Sequence, residues 1–282
     1  MGYEESLKYK HPQTHTKPIH WGQLKLMLAE IFYLSRYYHK PYTVLYIGAA
    51  PGLHIPFLVD MFPNFKFILY DPEKFGIKET DRIEIHQKYF TNEDAKKYSG
   101  KRYLFMSDIR NIHMDEARTS LEKMNEYVNN DNKMQLEWVQ TIRPKSAYLK
   151  FRLPFGIKEH IKYFNGKIFM QPWTKVSAET RLLVRNYDNL KSYDPIEFEE
   201  KLVYFQTCIR RQTYDALSDV IKDIGLINYY DSNFMLLILK YYLKKSGLWN
   251  DDKVELKKLT MKLLNFMKPF GKNKYKMIVH KK

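Results

Sequence analysis

Apolar positions in WGQLKLMLAEIFYLSRYYHK (21–40) recur as Leu24, Leu28, Ile31 and Phe32, the spacing of an amphipathic helix. The pattern then shortens. TVLYI (43–47) is a β-branched and aromatic run closed by a Gly-Pro loop, and it predicts a buried strand. FKFILYD (65–71), RIEIHQ (82–87) and KRYLFMSD (101–108) predict three more strands, and residues 115–142 a long helix softened by the Asn-Asn-Asp-Asn patch at 129–132. SAYLKFRLPF (146–155), GKIFMQPW (166–173) and ETRLLVRNY (179–187) predict strands again. From about Asp194 onward the chain reads as helix. Strands alternating with helices imply βαβ units and a mostly parallel sheet, and the crowding of the last strands implies an antiparallel member at its end. Three zones follow: a polar arm at 1–20 with Pro12 and Pro18, an α/β domain at 21–210, and a helical extension with a basic tail at 211–282, packed on the same domain.

The segment VLYIGAAPGLHI (44–55) places Gly48 and Gly52 in the first strand-to-helix turn, with a helix expected from about Pro51. Glycines there let a ligand approach the backbone. Asp71 ends the next strand, where a carboxylate accepts hydrogen bonds from ribose hydroxyls. The loop is G-A-A-P-G, not G-x-G-x-x-G, which disfavours a dinucleotide and favours S-adenosylmethionine (SAM) over the alternative of a purely geometric turn.

Four ionisable residues stand where packing alone would prefer something else. Lys25 lies in the leucine-rich helix, Asp108 closes the fourth strand, Lys150 interrupts an apolar strand, and Glu179 opens ETRLLV. Each alone is compatible with a solvated face or a structural ion pair. Together beside SAM they suit ribose methylation, because a 2′-hydroxyl attacks only if a base takes its proton. A lysine serves when burial and neighbouring cations lower its pKa. Lys150, with Lys25 near it and Asp108 and Glu179 orienting the two ammonium groups, would be such a case.

Composition narrows the partners. Lys and Arg number 47 against 32 acids, a formal charge of +15, which favours a polyanion: nucleic acid first, an anionic membrane surface second. The single cysteine, Cys208, excludes a disulfide framework and a cysteine-rich zinc site, and no metal is expected. No apolar run has the length of a membrane span. The opening residues lack the apolar core of a secretory signal, and Gly2 with Ser6 matches a myristoylation pattern only loosely. Residues 251–282 hold ten lysines against three acids, with aromatics interleaved in KPFGKNKYKMIVHKK. That suits an RNA-contacting tail or a solvated one equally. NFMLLILKYYLKK (233–245) suits a packed helix or, second, a partner surface.

GQLKLMLAEIFYLS, VLYIGAAPGLHI, ILYD, LFMSDIR, YLKFRLPF, QPW followed by SAETRLL, and FEEKLVYF occur in this order. From about residue 3 to residue 210 the chain resembles the poxvirus cap-specific mRNA (nucleoside-2′-O-)-methyltransferases, which are also small processivity subunits of the viral poly(A) polymerase. The resemblance implies a Rossmann-like class I SAM-dependent methyltransferase with helices on both sheet faces. It implies methylation of the first transcribed nucleotide of capped mRNA by a Lys25, Asp108, Lys150, Glu179 tetrad with Lys150 as general base. It puts SAM contacts at Gln23, Tyr46, Gly48, Gly52, Asp71 and Thr91; a family arginine near the acid is Glu73 here, with Lys74 beside it. It puts the methylated cap base between Phe155 and Tyr3, with Glu199 on the base edge and Arg152, Leu153, Pro154, Ser177, Ala178 and Glu179 around the slot. A second edge acid has become Ile157 and a family tyrosine Val176. Capped mRNA, a polymerase catalytic subunit and the host cytoplasm, with the virion as a further location, are the implied partners and places. The alternatives are a non-catalytic RNA-binding processivity factor and a 2′-O-methyltransferase acting on ribosomal or transfer RNA.

Overall fold

The computed structural model describes residues 19–110, 120–175, 179–212 and 217–279. The chain forms two compact units drawn from interleaved segments. Of the described residues, one takes those within 40–170 and 179–199; the other takes 19–39, 171–175 and those within 200–279. The sequence reading drew contiguous zones instead.

The first unit is built on a seven-stranded sheet. Its strands are β1 (Tyr42–Ile47), β2 (Phe65–Tyr70), β3 (Ile83–His86), β4 (Leu104–Ser107), β5 (Ser146–Phe151), β7 (Lys167–Phe169) and β8 (Thr180–Val184), in the order β3-β2-β1-β4-β5-β8-β7. The first five are parallel, and β8 pairs antiparallel to both β5 and β7. β4 and β8 are buried at every position and β1 at its last four, as expected of inner strands covered on both faces. This is a Rossmann-like architecture, with the reversal of strand order between β1 and β4 that places ligands at the carboxyl ends of the strands.

Boundaries differ from the sequence pattern for identifiable reasons. Gly48 and Gly52 take φ of +80° and +69°, incompatible with a helix, so α2 (Ile55–Met61) begins after them and not near Pro51. The stretch 166–173 yields only the three-residue β7, because Gln171–Trp173 leave for the other unit. Two strands went unread, β6 (Ile161–Phe164) and β9 (Leu190–Tyr193), which form a small antiparallel sheet of their own. Phe151 of β5 stacks on Tyr163 of β6 at 5.3 Å and meets Tyr193 of β9 at 5.1 Å, so the small sheet braces the end of β5. The remaining helices of this unit are α3 (Asn92–Lys97) and α4 (Leu121–Ile142); α5 (Pro195–Thr207) starts in it and runs into the other.

The second unit is helical, with α1 (Gly22–Ser35), α6 (Ser218–Ile224), α7 (Tyr230–Ser246), α8 (Val254–Met267) and α9 (Lys272–Ile278). α1 is buried around most of its circumference, and Phe32 meets Tyr241 of α7 at 5.9 Å. Arg210 forks onto both oxygens of Asp231 at 2.8 and 2.7 Å, tying the segment after α5 to α7. Residues 268–279 of the basic stretch are folded: Ile278 is fully buried, and Gly271 lies where a β-carbon would stand 2.8 Å from the Trp21 indole nitrogen. Among the described residues no helix is long and apolar enough to cross a membrane.

Candidate active site

Two cavities open at the carboxyl edge of the sheet. The larger, about 230 Å³, lies over the ends of β1, β2 and β4 and is lined by Gly48, Tyr70, Asp71, Glu73, Tyr89 and Phe90 among others. Gly48 permits this cleft: a β-carbon there would come within 2.8 Å of backbone atoms of both Asp108 and Ile109. Asp71 closes the loop on itself. Its Oδ2 accepts the Ala50 N–H at 3.0 Å and its Oδ1 the Glu73 N–H at 2.9 Å. Each oxygen keeps acceptor capacity for a ribose diol. The cradle, the aimed carboxylate and the aromatic walls fit an adenosine-bearing cofactor.

The other residues expected around SAM fall less uniformly. Glu73 lines the cleft, so an acid stands where the family carries an arginine, and Lys74 is exposed outside it. Gly52 shapes the turn against Phe75 and Ile77. Tyr46 is buried inside β1. Thr91 is the N-cap of α3, its hydroxyl engaged with Asp94. Gln23 is exposed on α1, in the helical unit.

The smaller cavity, about 50 Å³, is lined by Lys150, Glu179, Arg152 and residues of α4, and by Ile109 and Arg110, which also line the larger one. Residues 109–110 are therefore a shared wall between the cofactor cleft and a pocket holding an amine. Lys150 Nζ lies 2.8 Å from Asp108 Oδ1 and donates to the carbonyls of Asp108 and Ile109 at 3.0 and 3.2 Å. Three acceptors from two consecutive residues thus fix the amine against that wall. Glu179 pairs with Arg110 at 3.2 Å; the sequence reading had it orient the lysines. Lys25 is half-buried on α1, in the helical unit, where its charge helps burial lower the pKa of His20.

One charged residue escaped the sequence reading. Arg181 of β8 lies opposite Lys150 in the strand register, and its Nη2 donates to the same Asp108 Oδ1 at 2.8 Å. Its side chain is 3% exposed. Burial penalises the guanidinium, but the carboxylates of Asp108 and Glu179 outweigh that and push its pKa up. Asp108 therefore serves two cations, and Arg181 limits how fully its charge belongs to Lys150. The criterion that singled out Lys150, a charge within an apolar strand, applies equally to Arg181.

Of the expected cap slot, Phe155 is 43% exposed, Leu153 and Pro154 are buried, and Ile157 is half-buried. Arg152 is half-buried; burial pulls its pKa down, while Glu179 and, more weakly, Glu199 oppose that. Tyr3, Ser177, Ala178 and Val176 lie outside the described residues.

The chain aligns with two curated viral proteins, both named cap-specific mRNA (nucleoside-2′-O-)-methyltransferase. That of Myxoma virus (strain Lausanne) is 27% identical over 74% of this chain and 68% of the relative. That of Fowlpox virus (strain NVSL) is 29% identical over 84% and 81%. Among solved structures it is similar to human methyltransferase-like protein 13 in complex with SAH, with a TM-score of 0.37 and 15% identity over 70% of this chain and 96% of that one. The family described as poly A polymerase regulatory subunit matches residues 2–269. Matched over almost its whole length, the chain belongs to the poly(A) polymerase regulatory subunit family.

Proposed function

We propose that the protein transfers a methyl group from SAM to the ribose 2′-oxygen of the first transcribed nucleotide of m7G-capped mRNA. The observation that carries the reading is the wall at residues 109–110, with the nucleoside-shaped cleft on one side and the Lys150 amine on the other. When bound in that cleft, SAM supplies a methyl carbon on a sulfonium. Lys150, in its neutral form, would accept the proton that the 2′-hydroxyl gives up on methylation, with the thioether of the spent cofactor as the leaving group. The three acceptors around Nζ match an ammonium; in the neutral form two of them hold the amine through its two N–H groups, leaving the lone pair for the hydroxyl. Arg181 places a second positive charge on Asp108, so the carboxylate is shared between two cations.

Phe155 offers an exposed ring for a positively charged methylated base, whose stacking gains from its cation–π component. Glu199 is its edge acceptor in this reading. Comparison of m7GpppN-RNA with uncapped RNA of the same sequence tests the substrate, and Lys150→Ala tests the chemistry. The capped RNA is expected to be methylated at least about tenfold faster, and Lys150→Ala to lose transfer by about 10² or more while cofactor binding and melting temperature hold. Equal rates on the two RNAs would point to another RNA class, and an undiminished Lys150→Ala would remove the lysine from the chemistry. The match to the regulatory subunit family supports a second, compatible role, lengthening poly(A) tails with a polymerase catalytic subunit. Tail lengths unchanged by adding this chain would exclude it.

A further inference from the structure

The end of β5 outruns β4 in the sheet. β4 pairs with β5 as far as Leu149, and β8 as far as Phe151. The backbone then continues through Arg152 to Phe155 without strand pairing. This stretch starts at the amine and ends at the exposed ring, so its course sets the distance between them. Backbone polar groups there need partners from elsewhere.

α4 provides them with three carboxamides. Gln135 Nε2 donates to the Lys150 carbonyl at 3.1 Å, and Asn132 Nδ2 to the Arg152 carbonyl at 2.8 Å. Asn125 grips Phe155 from both sides, its Nδ2 donating to the Phe155 carbonyl at 2.9 Å and its Oδ1 accepting the Phe155 N–H at 2.7 Å. Positions 125, 132 and 135 share one helix face. Higher numbers on the helix meet lower numbers on the strand, as a crossover helix antiparallel to its strands requires. The rise of about 4.5 Å between helix positions three apart falls short of the roughly 6.6 Å between strand residues two apart. The longer reach of glutamine over asparagine makes up part of that difference.

The choice of residue is costly for the helix itself. Asparagine is a poor helix former, and Asn132 and Gln135 are 6% and 1% exposed; Gln135 Oε1 is buried without a hydrogen-bond partner, a cost borne so that Nε2 can hold the Lys150 carbonyl. An apolar side chain would fill the same space and improve the helix, but could not hold a carbonyl. Asn132 belongs to the Asn-rich patch that softens the helical pattern of this stretch.

We infer that Asn125, Asn132 and Gln135 form a positioning ladder that spaces the acceptor-side amine of Lys150 from the cap-side ring of Phe155. The inference rests on the proposed function for its substrate. Asn132 and Gln135 line the smaller cavity beside Lys150, and the hydrogen bonds that define the ladder go to backbone groups. Gln135 acts through Lys150 and Asn125 through Phe155, so they affect different kinetic constants.

Steady-state methyl transfer to m7GpppN-RNA, with Gln135→Met and Asn125→Ala in the full chain, tests the ladder. Gln135→Met is expected to lose about tenfold, mainly in kcat, and Asn125→Ala about tenfold, mainly in KM for the capped RNA. If Gln135→Met melts early, Gln135→Asn keeps the carboxamide, shortens its reach and is expected to show the same kcat loss. Losses divided alike between kcat and KM in both variants, or no loss in either, would overturn the ladder. A wild-type protein that methylates no capped RNA would instead defeat the proposed function. Hydrogen exchange then decides the ladder separately. The amides of residues 151–153 and of Phe155 should exchange at least about tenfold faster in both variants than in wild type, and unchanged rates would overturn it.

Discussion

A β-carbon at position 48 would stand 2.8 Å from the Asp108 carbonyl carbon and 2.8 Å from the Ile109 nitrogen, and φ there is +80°. Neither backbone atom can swing away as a side chain would. The same two residues present the carbonyls that hold Lys150. One substitution therefore reaches both cavities: Gly48→Ala forces the cofactor loop and the amine's anchor apart. Its expected cost is about 1–3 kcal/mol in stability from the strained conformation, with methyl transfer falling by about 10² or more because the reacting groups lose alignment. Thermal melting and single-turnover transfer at saturating cofactor read the two effects separately. Transfer that falls only as far as the folded fraction would show that the contact does not couple the cavities. Gly48, Asp71, Asp108 and Lys150 were legible in the sequence because each breaks a local pattern: a glycine in a strand-to-helix turn, an acid at a strand end, a cation in an apolar run. Arg181 breaks the pattern equally, and only its register opposite Lys150 reveals what it does.

At the scale of elements, α3 shows how a short helix is pinned beside the cleft-lining residues Tyr89 and Phe90. Thr91 and Asp94 form a capping box, and Asp94 also pairs with Lys88 at 2.8 Å and Lys97 at 2.9 Å. Burial would raise the Asp94 pKa, but the two ammonium groups prevail and hold it at about 2, against 3.8 for the free side chain. Between those values the unfolded chain binds more protons than the folded one, so stability rises with pH. The contribution is complete above about pH 4 and is lost as pH falls toward 2. Asp94→Asn is expected to cost about 1 kcal/mol at neutral pH, the worth of a cap with partly exposed ion pairs. It should also flatten the acid limb of a melting-temperature profile in that window. An unchanged limb would assign acid sensitivity elsewhere. The strands that sequence patterning found carry either a mostly apolar run, as β1, β4, β5 and β8 do, or a period-two alternation, as β3 does. β6 and β9 went unread because each has four residues and only Tyr163, Phe164 and Tyr193 are buried. Their aromatic anchors point to β5, a long-range partner that no local period records.

The whole molecule carries +15, and the structure changes where that excess is available. Within the C-terminal stretch, Lys253 pairs with Asp219, Lys257 with Asp223 and Lys258 with Glu255, at 2.7, 2.5 and 2.8 Å. Lys268 lies over the Tyr275 ring at 4.9 Å. Lys272 and Lys276 remain exposed, one helical turn apart on α9, and present one positive edge. Binding of single-stranded RNA by such an edge releases counterions, and log Kobs falls with log salt by about 0.7 for each phosphate neutralised. Three to five phosphates across the protein would give a slope of roughly −2 to −3.5. Lys272→Ala with Lys276→Ala should make that slope shallower by up to about 1.4, the share of two phosphates, while m7G-cap discrimination is retained. A wild-type slope near zero would deny the excess charge any part in holding RNA. A steep slope unaltered by the double variant would move the phosphate track away from α9. The second result would still leave RNA as the polyanion and would send the search to the lysines of the sheet unit.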